Sequence, residues 1–362
     1  MSETKTSGID YEKLKDTPRL LMEAKLKPLQ GCRFQSTGFA DLGPARYTLP
    51  DGTEMLLVES AQSVANRMEL ACWDAAAEDL IAELRGLPYI KITDANNGHL
   101  SNSILEAHRI NSEYVMKEAR RVSKTDGKRE LTKNAFNKEF AAEIGYQNDG
   151  RVDWKKFRAG LLKYDPNSLI HGCFLEEIGG RLRVTRALSG FIEACDVDVV
   201  ESGGVKNNIV QPDLKSGEGN VPFHRTEFVA KSIKAYFNID LALLRGYGLG
   251  DDATKLLIAL SLFKIRRFLS TGLRLRTACD LELDGDLDVM RLDGWTVPAE
   301  DVLLNECKHL IGACKSHFAD PPITEVEWKP SKKKGGKGGK GKGDADENAD
   351  DSADGDEEGD DQ

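Results

Sequence analysis

The stretch KLLIALSLFKIRRFLSTGLRLR, from Lys255 to Arg276, sets the reading of the whole chain. Leu256, Leu260 and Phe263 recur at helical spacing, and Leu257, Ser261, Ile265 and Phe268 extend the same apolar side. The spacing predicts a helix that runs to Gly272. After that glycine the period becomes two. Leu273, Leu275, Thr277, Cys279 and Leu281 share one face of a predicted strand, and Arg274 and Arg276 take the other. The stretch holds six basic residues (Lys255, Lys264, Arg266, Arg267, Arg274, Arg276) and no acidic one. Lys264 and Arg267 stand one turn apart on a face beside the apolar one. A helix feeding a strand, both showing cations, suits a polyanion. A solvated basic face explains the run equally well.

The rest of the composition bounds that choice. The chain has 362 residues, 40% of them hydrophobic and 30% charged, which is ordinary for a globular protein with a large core. No apolar run is long enough to span a bilayer, and the N-terminal MSETKTSGIDYEKLKD lacks the apolar centre of a secretory signal. Seven irregularly spaced cysteines suggest reduced thiols in a cytoplasm. Net charge is −10. A nucleic-acid binder of this composition needs a local basic stripe, because the surface as a whole is acidic.

Reading along the chain, residues 1–18 form an arm, and Arg19 to Leu26 and Met55 to Ser60 alternate as strands. A long loop lies between them. A helix is predicted from about Gln62 to Leu84, capped by Ser60 or Ser63, and a short strand over Tyr89 to Thr93. Residues 94–165 read as a mostly helical insertion. Ser168 to Glu176 and Gly190 to Asp196 are strand-like, and 201–222 is a long loop without periodicity. Thr226 to Phe237 reads as a helix, Asn238 to Leu244 as a strand, and Asp301 to Phe318 as the last helix. Residues 319–329 read as a linker; 330–362, a Lys/Gly block followed by an Asp/Glu block, read as disordered. The fold class expected is α+β, with an antiparallel sheet and helices on one face.

Other motifs are weaker. GYGLG, with Gly246, Gly248 and Gly250, has Asp251 where a dinucleotide fingerprint needs its third glycine. Cys307, His309, Cys314 and His317 match no common zinc spacing; Cys307, Ile311, Cys314 and Phe318 make one apolar helix stripe instead. No nucleophile elbow is present. Neither a catalytic residue, a metal nor a cofactor is expected.

Several segments together resemble one family. VESAQSVANRMELACWD (Val58 to Asp74) is similar to the strand–helix signature of backbone subunits in the CRISPR-associated RAMP superfamily. EAHRINS (Glu106 to Ser112), DPNSLIHGCFLE (Asp165 to Glu176), RALSGFIEACDV (Arg186 to Val197), SGGVKNN (Ser202 to Asn208), NIDLALLRGYGLG (Asn238 to Gly250) and LFKIRRFLSTGLRLRTACDLE (Leu262 to Glu282) follow in matching order. It is this order that makes the resemblance specific. The chain most resembles the Cas-seven type of the type I-G (formerly I-U) Cascade complex, from about Arg19 to Phe318. The resemblance implies a modified RRM-like (ferredoxin-like) palm, a helical insertion and a protruding thumb loop at 201–222. It also implies copies stacked along one CRISPR RNA, whose bases remain free to pair with target DNA. Partners would be further copies, other Cascade subunits and a helicase-nuclease.

Sequence-blind RNA holding needs cations and amide donors aimed at phosphates. Asn66, Arg67, Lys264, Arg267, Arg274 and Arg276 are the expected contacts, with the backbone of Ser202, Gly203, Gly204 and Lys206, and with Arg33 and Phe34 in the same groove. Replacing Lys264 and Arg267 by Glu is expected to abolish RNA-dependent assembly while the fold survives. Two alternatives stand beside this reading. One is a metal-dependent ribonuclease using Asp41, whose neighbours Phe39, Ala40, Leu42 and Gly43 offer no second carboxylate. The other is an interaction module whose basic stripe meets an acidic protein.

Overall fold

The computed structural model describes residues 8–39, 42–125, 128–207 and 220–329. They lie within a unit running to Lys329; residues 330–362, where disorder is expected, lie outside the described residues. In chain order the main elements are β1 (Arg19–Pro28), β2 (Arg46–Thr48), β3 (Glu54–Glu59), α1 (Ala61–Leu70), β4 (Tyr89–Thr93), β5 (His99–Asn102), β6 (Arg120–Thr125), β7 (Lys128–Leu131), α2 (Phe136–Glu143), α3 (Trp154–Tyr164) and α4 (Asn167–His171). They continue with β8 (Leu188–Asn207), β9 (Asn220–Asp240), α5 (Leu241–Gly246), α6 (Asp251–Thr271), β10 (Arg274–Arg276), β11 (Cys279–Met290), α7 (Glu300–Ala313) and β12 (Ile323–Glu327). The main sheet is antiparallel throughout, in the order β10-β11-β1-β9-β8-β3-β2. A second sheet, β7-β6-β12-β4-β5, contains one parallel pair, β12 with β4. The fold is α+β.

Helix α6 is the spine of the core. Thirteen of its 21 residues are buried, including Leu256, Leu260, Phe263 and Phe268. A fully buried Phe or Leu of this kind stabilises the fold by about 1.5–3 kcal/mol. A helix buried on more than one side needs apolar residues nearly all round. The run Leu256 to Phe263 has them, interrupted by Ser261, whose Oγ donates back to Leu257 O at 2.7 Å. The glycines of GYGLG make the turn that enters this helix: Gly248 and Gly250 have φ of +68° and +94°, which side chains with a Cβ resist.

The pattern misled where two periods compete. Thr226 to Phe237, read as a helix, belongs to β9. Ile233, Ala235, Phe237 and Ile239 alternate into the core, and Tyr236 stacks on Phe191 across the other face, with centroids 5.1 Å apart. Asn238 to Leu244 is strand only as far as Asp240, the end of β9; there the chain turns, and Asp240 Oδ1 accepts from Leu243 N and caps α5. Ser168 to Glu176 begins as the buried helix α4 and becomes a strand only at Cys173–Leu175. The helix expected to Leu84 stops at Leu70, because Asp74 Oδ1 accepts from Ala76 N and Ala77 N and closes a turn. The strand expected through Leu281 is a hairpin, broken where Ala278 takes φ +58°.

Three boundaries also differ. Residues 94–165 carry β5, β6 and β7 beside their helices. Residues 319–329 contain β12, which completes the second sheet. The aperiodic stretch 201–222 is paired strand as far as Asn207 and again from Asn220, while 208–219 lie outside the described residues. A hairpin arm whose backbone bonds are met by its partner strand needs no apolar face, which is why alternation is absent there. The cysteine-containing helix behaves as expected: Cys307, Ile311, Cys314 and Phe318 are buried.

A candidate nucleic-acid interface

Arg67, Arg267 and Arg274 come from three separate elements and line one cleft of about 280 Å³, floored by Leu70, Ala71, Phe268 and Gly272. Helix α1 presents Arg67 because Val64, Ala65 and Met68 bury the opposite side. Arg67 Nη1 donates to Arg274 O at 3.2 Å and its Nη2 to Leu275 O, so this guanidinium is locked against the backbone of β10. Its Nε lies 3.8 Å from Glu59 Oε1. Arg67 therefore contributes charge to the cleft with its donors mostly engaged. Arg267 pairs with Glu300 at 2.7 Å, and Ser270 Oγ donates to the same carboxylate at 2.9 Å. Arg274 is the open cation: its side chain is 86% exposed, with Asp280 3.7 Å away. The lining of the cleft carries three guanidiniums and no carboxylate, with Thr271 as its single hydroxyl.

The other expected contacts separate. Lys264 is fully buried. Its Nζ donates to Asn167 Oδ1 at 2.5 Å and lies 2.8 Å from His171 Nε2. The face of α6 that carries it is covered by α4, so Lys264 is a core residue and not a surface contact. Phe34 is likewise in the core, bridged to Phe228 by backbone hydrogen bonds, and presents no ring to a base. Arg276 turns away from the cleft to Glu59, and its Nη1 donates to Gln35 O at 3.2 Å. Asn66 Oδ1 accepts from Gln62 Nε2 on α1 at 3.0 Å.

Arg33 and Ser202 meet at a second place, the carboxylate of Glu227. Arg33 Nη1 is 3.0 Å and Ser202 Oγ 2.8 Å from its Oε2. Gly203 and Gly204 continue β8 opposite His224 and Phe223, and Lys206 stands opposite Val221. Their backbone groups serve the hairpin. Asp41 lies outside the described residues. Among the described residues no group of three His, Cys, Asp or Glu side chains is placed to hold a metal ion, and no helix is long and apolar enough to cross a membrane.

Sequence reasoning missed the acids that hold these cations. Glu59, Glu227 and Glu300 are scattered in sequence and become partners only through sheet register and helix packing.

Residues 20–199 match the model of a family described as CRISPR-associated protein GSU0053 (Cas_GSU0053), so over that span the chain has the sequence pattern of a CRISPR-associated family. No curated protein matches the chain. Among solved structures, one titled "CRISPR RNA-guided surveillance complex, pre-nicking" is 15% identical at a TM-score of 0.39, covering 82% of this chain and 89% of that one. Csc2 of Thermofilum pendens is 11% identical at a TM-score of 0.30, covering 84% of this chain and 81% of the other.

Proposed function

We propose that this chain is an RNA-holding backbone subunit of a CRISPR effector, of the Cas-seven type and of the type I-G Cascade. The observation that carries the reading is the convergence of Arg67, Arg267 and Arg274 on one cleft in an otherwise acidic protein. The match of residues 20–199 to a CRISPR-associated family supports the context. In this reading the main sheet is an RRM-like palm and the β8–β9 hairpin is its thumb. Copies line up along one guide RNA, the cleft grips phosphates, and the bases stay free for target DNA. Further Cascade subunits and a helicase-nuclease complete the effector, which works in the cytoplasm. The chain itself is a scaffold without cofactor or catalysis.

Copurification with a CRISPR transcript at low salt tests this. The expected product is a multi-copy assembly with nuclease-sensitive RNA, lost in the variant Arg267→Glu with Arg274→Glu. A monomer free of RNA beside such a transcript overturns the reading. Complementary RNA given to the assembly with magnesium is expected to stay intact. Regularly spaced cuts that vanish in Asp41→Ala would make the chain a ribonuclease instead.

A further inference from the structure

Away from the arginine cleft, β1 and β9 bring lysines to one spot. Lys25 stands directly opposite Lys234 in the antiparallel register, so the two side chains leave the sheet on the same face. Lys27 follows on that face, and Lys231 lies close by on β9. All four line a concavity of about 340 Å³ in which Asp284 is the single carboxylate among the lining residues. Like charges directly across a ladder destabilise it; Glu23, two residues before Lys25 on β1, takes up the charge of Lys234 and leaves that of Lys25 without a carboxylate partner among the described residues. The others reach acids: Lys27 to Glu282 and Asp284 at 3.4 and 3.2 Å, Lys231 to Asp196 at 3.1 Å, Lys234 to Glu23 at 3.0 Å. Exposed pairs of this kind contribute little to stability and are screened by salt.

The concavity is also tied to the arginine cleft. Cys32 lines it, and the same loop is pinned three residues later, where Gln35 N donates to Ala278 O at 2.9 Å and Gln35 O accepts from Arg276 Nη1. That anchor sits in the β10–β11 hairpin, which also carries Arg274.

We propose that the four lysines form a second phosphate-binding site, which takes the phosphodiester backbone of a single nucleic-acid strand without reading its bases. The proposal rests on the RNA-holding reading for its class of ligand. Lysine ammoniums act as point charges without the fork geometry that fixes orientation. The one aromatic ring at the site, Phe34, is buried, so no base stacks there.

The test is binding of fluorescently labelled oligouridine and oligodeoxythymidine to the full chain, titrated between about 50 and 200 mM salt. The variant Lys25→Ala with Lys231→Ala is expected to melt no lower than the wild type, because the relief of the Lys25–Lys234 repulsion offsets the lost exposed pair between Lys231 and Asp196. Its slope of log affinity against log salt should become shallower by about 1.4, from roughly 0.7 per phosphate contact on a single strand. A change on oligouridine alone identifies the strand as RNA; a change on both shows that either strand is taken. An unchanged slope on both, alongside lost binding in the Arg267→Glu, Arg274→Glu variant, overturns the lysine site and leaves the RNA-holding reading intact. If the wild-type chain binds neither oligonucleotide, both fall.

Discussion

Lys264 Nζ lies 2.8 Å from Nε2 of His171, with both side chains buried beneath the main sheet. The ammonium donates, so Nε2 is the acceptor and the ring's own proton sits on Nδ1, which has no partner. Burial is the main cause that lowers the Lys264 pKa. Lys264→Met removes the donor and leaves Nε2 of His171 and Oδ1 of Asn167 unpaired. The expected cost is about 1–3 kcal/mol for each group stranded, read as a lower denaturant midpoint. Lys264→Glu buries a second acceptor against them and is expected to prevent folding. The doubly charged-reversed variant suggested by the sequence therefore confounds folding with RNA binding. Circular dichroism of Lys264→Glu alone decides the point: a native spectrum and midpoint would refute the buried placement.

Arg274 gives the clean test of RNA contact. Its exposed side chain leaves little for Arg274→Ala to destabilise, and the melting midpoint should stay put. RNA affinity should weaken, with the salt slope shallower by about 0.7. An unaltered slope would remove Arg274 from the interface.

The pair Glu69–Arg109 should behave in the opposite way. Arg109 Nε and Nη2 donate to the two carboxylate oxygens at 2.7 and 2.6 Å, both residues are buried, and Arg109 is held at φ +56°. Glu69→Ala strands a buried guanidinium and is expected to cost about 3–5 kcal/mol. Urea titration measures it; a loss below about 1 kcal/mol would mean that water reaches the pair.

The same buried cluster makes stability depend on pH in two opposed ways. Burial, then the charges of Lys264, Arg109 and Arg186, holds the His171 pKa well below 6.5. The unfolded chain takes that proton and the folded one does not. This contribution is therefore complete above about pH 6.5 and is lost as pH falls below it. Burial pushes the Asp165 carboxyl from 3.8 up to about 6, against the hydrogen bond from Ser168. Between those values the folded chain keeps a proton that the unfolded chain has released, so this contribution declines as pH rises through the window. Asp165→Asn can keep the bonds that Oδ2 accepts from Ile110 N and Ser168 Oγ while removing the titration. The variant's stability relative to wild type should improve from about pH 4 to about pH 6.5. A pH-independent difference in urea midpoint would contradict this.

Lys25 offers a test of stability alone. Removing its charge in Lys25→Thr relieves the repulsion from Lys234 and should stabilise the fold by about 0.2–1 kcal/mol. A lower melting midpoint would show that the lysine pair carries no strain.

How much of this was legible follows from the kind of pattern each residue sat in. The long buried helix, β1, β4 and the cysteine stripe of α7 could be read because each keeps one period over its length. Strand β9 was hidden because Ile233 and Phe237, four apart, satisfy a helical spacing as well as an alternating one, and with it went Lys231 and Lys234. Arg267 and Arg274 stand out in sequence by the basic run, and Arg67 by its place early in a predicted helix; the fold brings the three to one cleft. Lys264 was misplaced for a physical reason. Helical spacing says which side a residue is on, but not how many sides are covered. Only the position of α4 reveals that this side faces Asn167 and His171.

The guanidinium of Arg67 has a last consequence. Strand β10 ends the main sheet, and the carbonyls of Arg274 and Leu275 are already taken by that side chain. A foreign strand laid along this margin finds those acceptors spent and must evict an arginine to use them. Lateral growth of the sheet by a shared ladder is thereby discouraged at this margin.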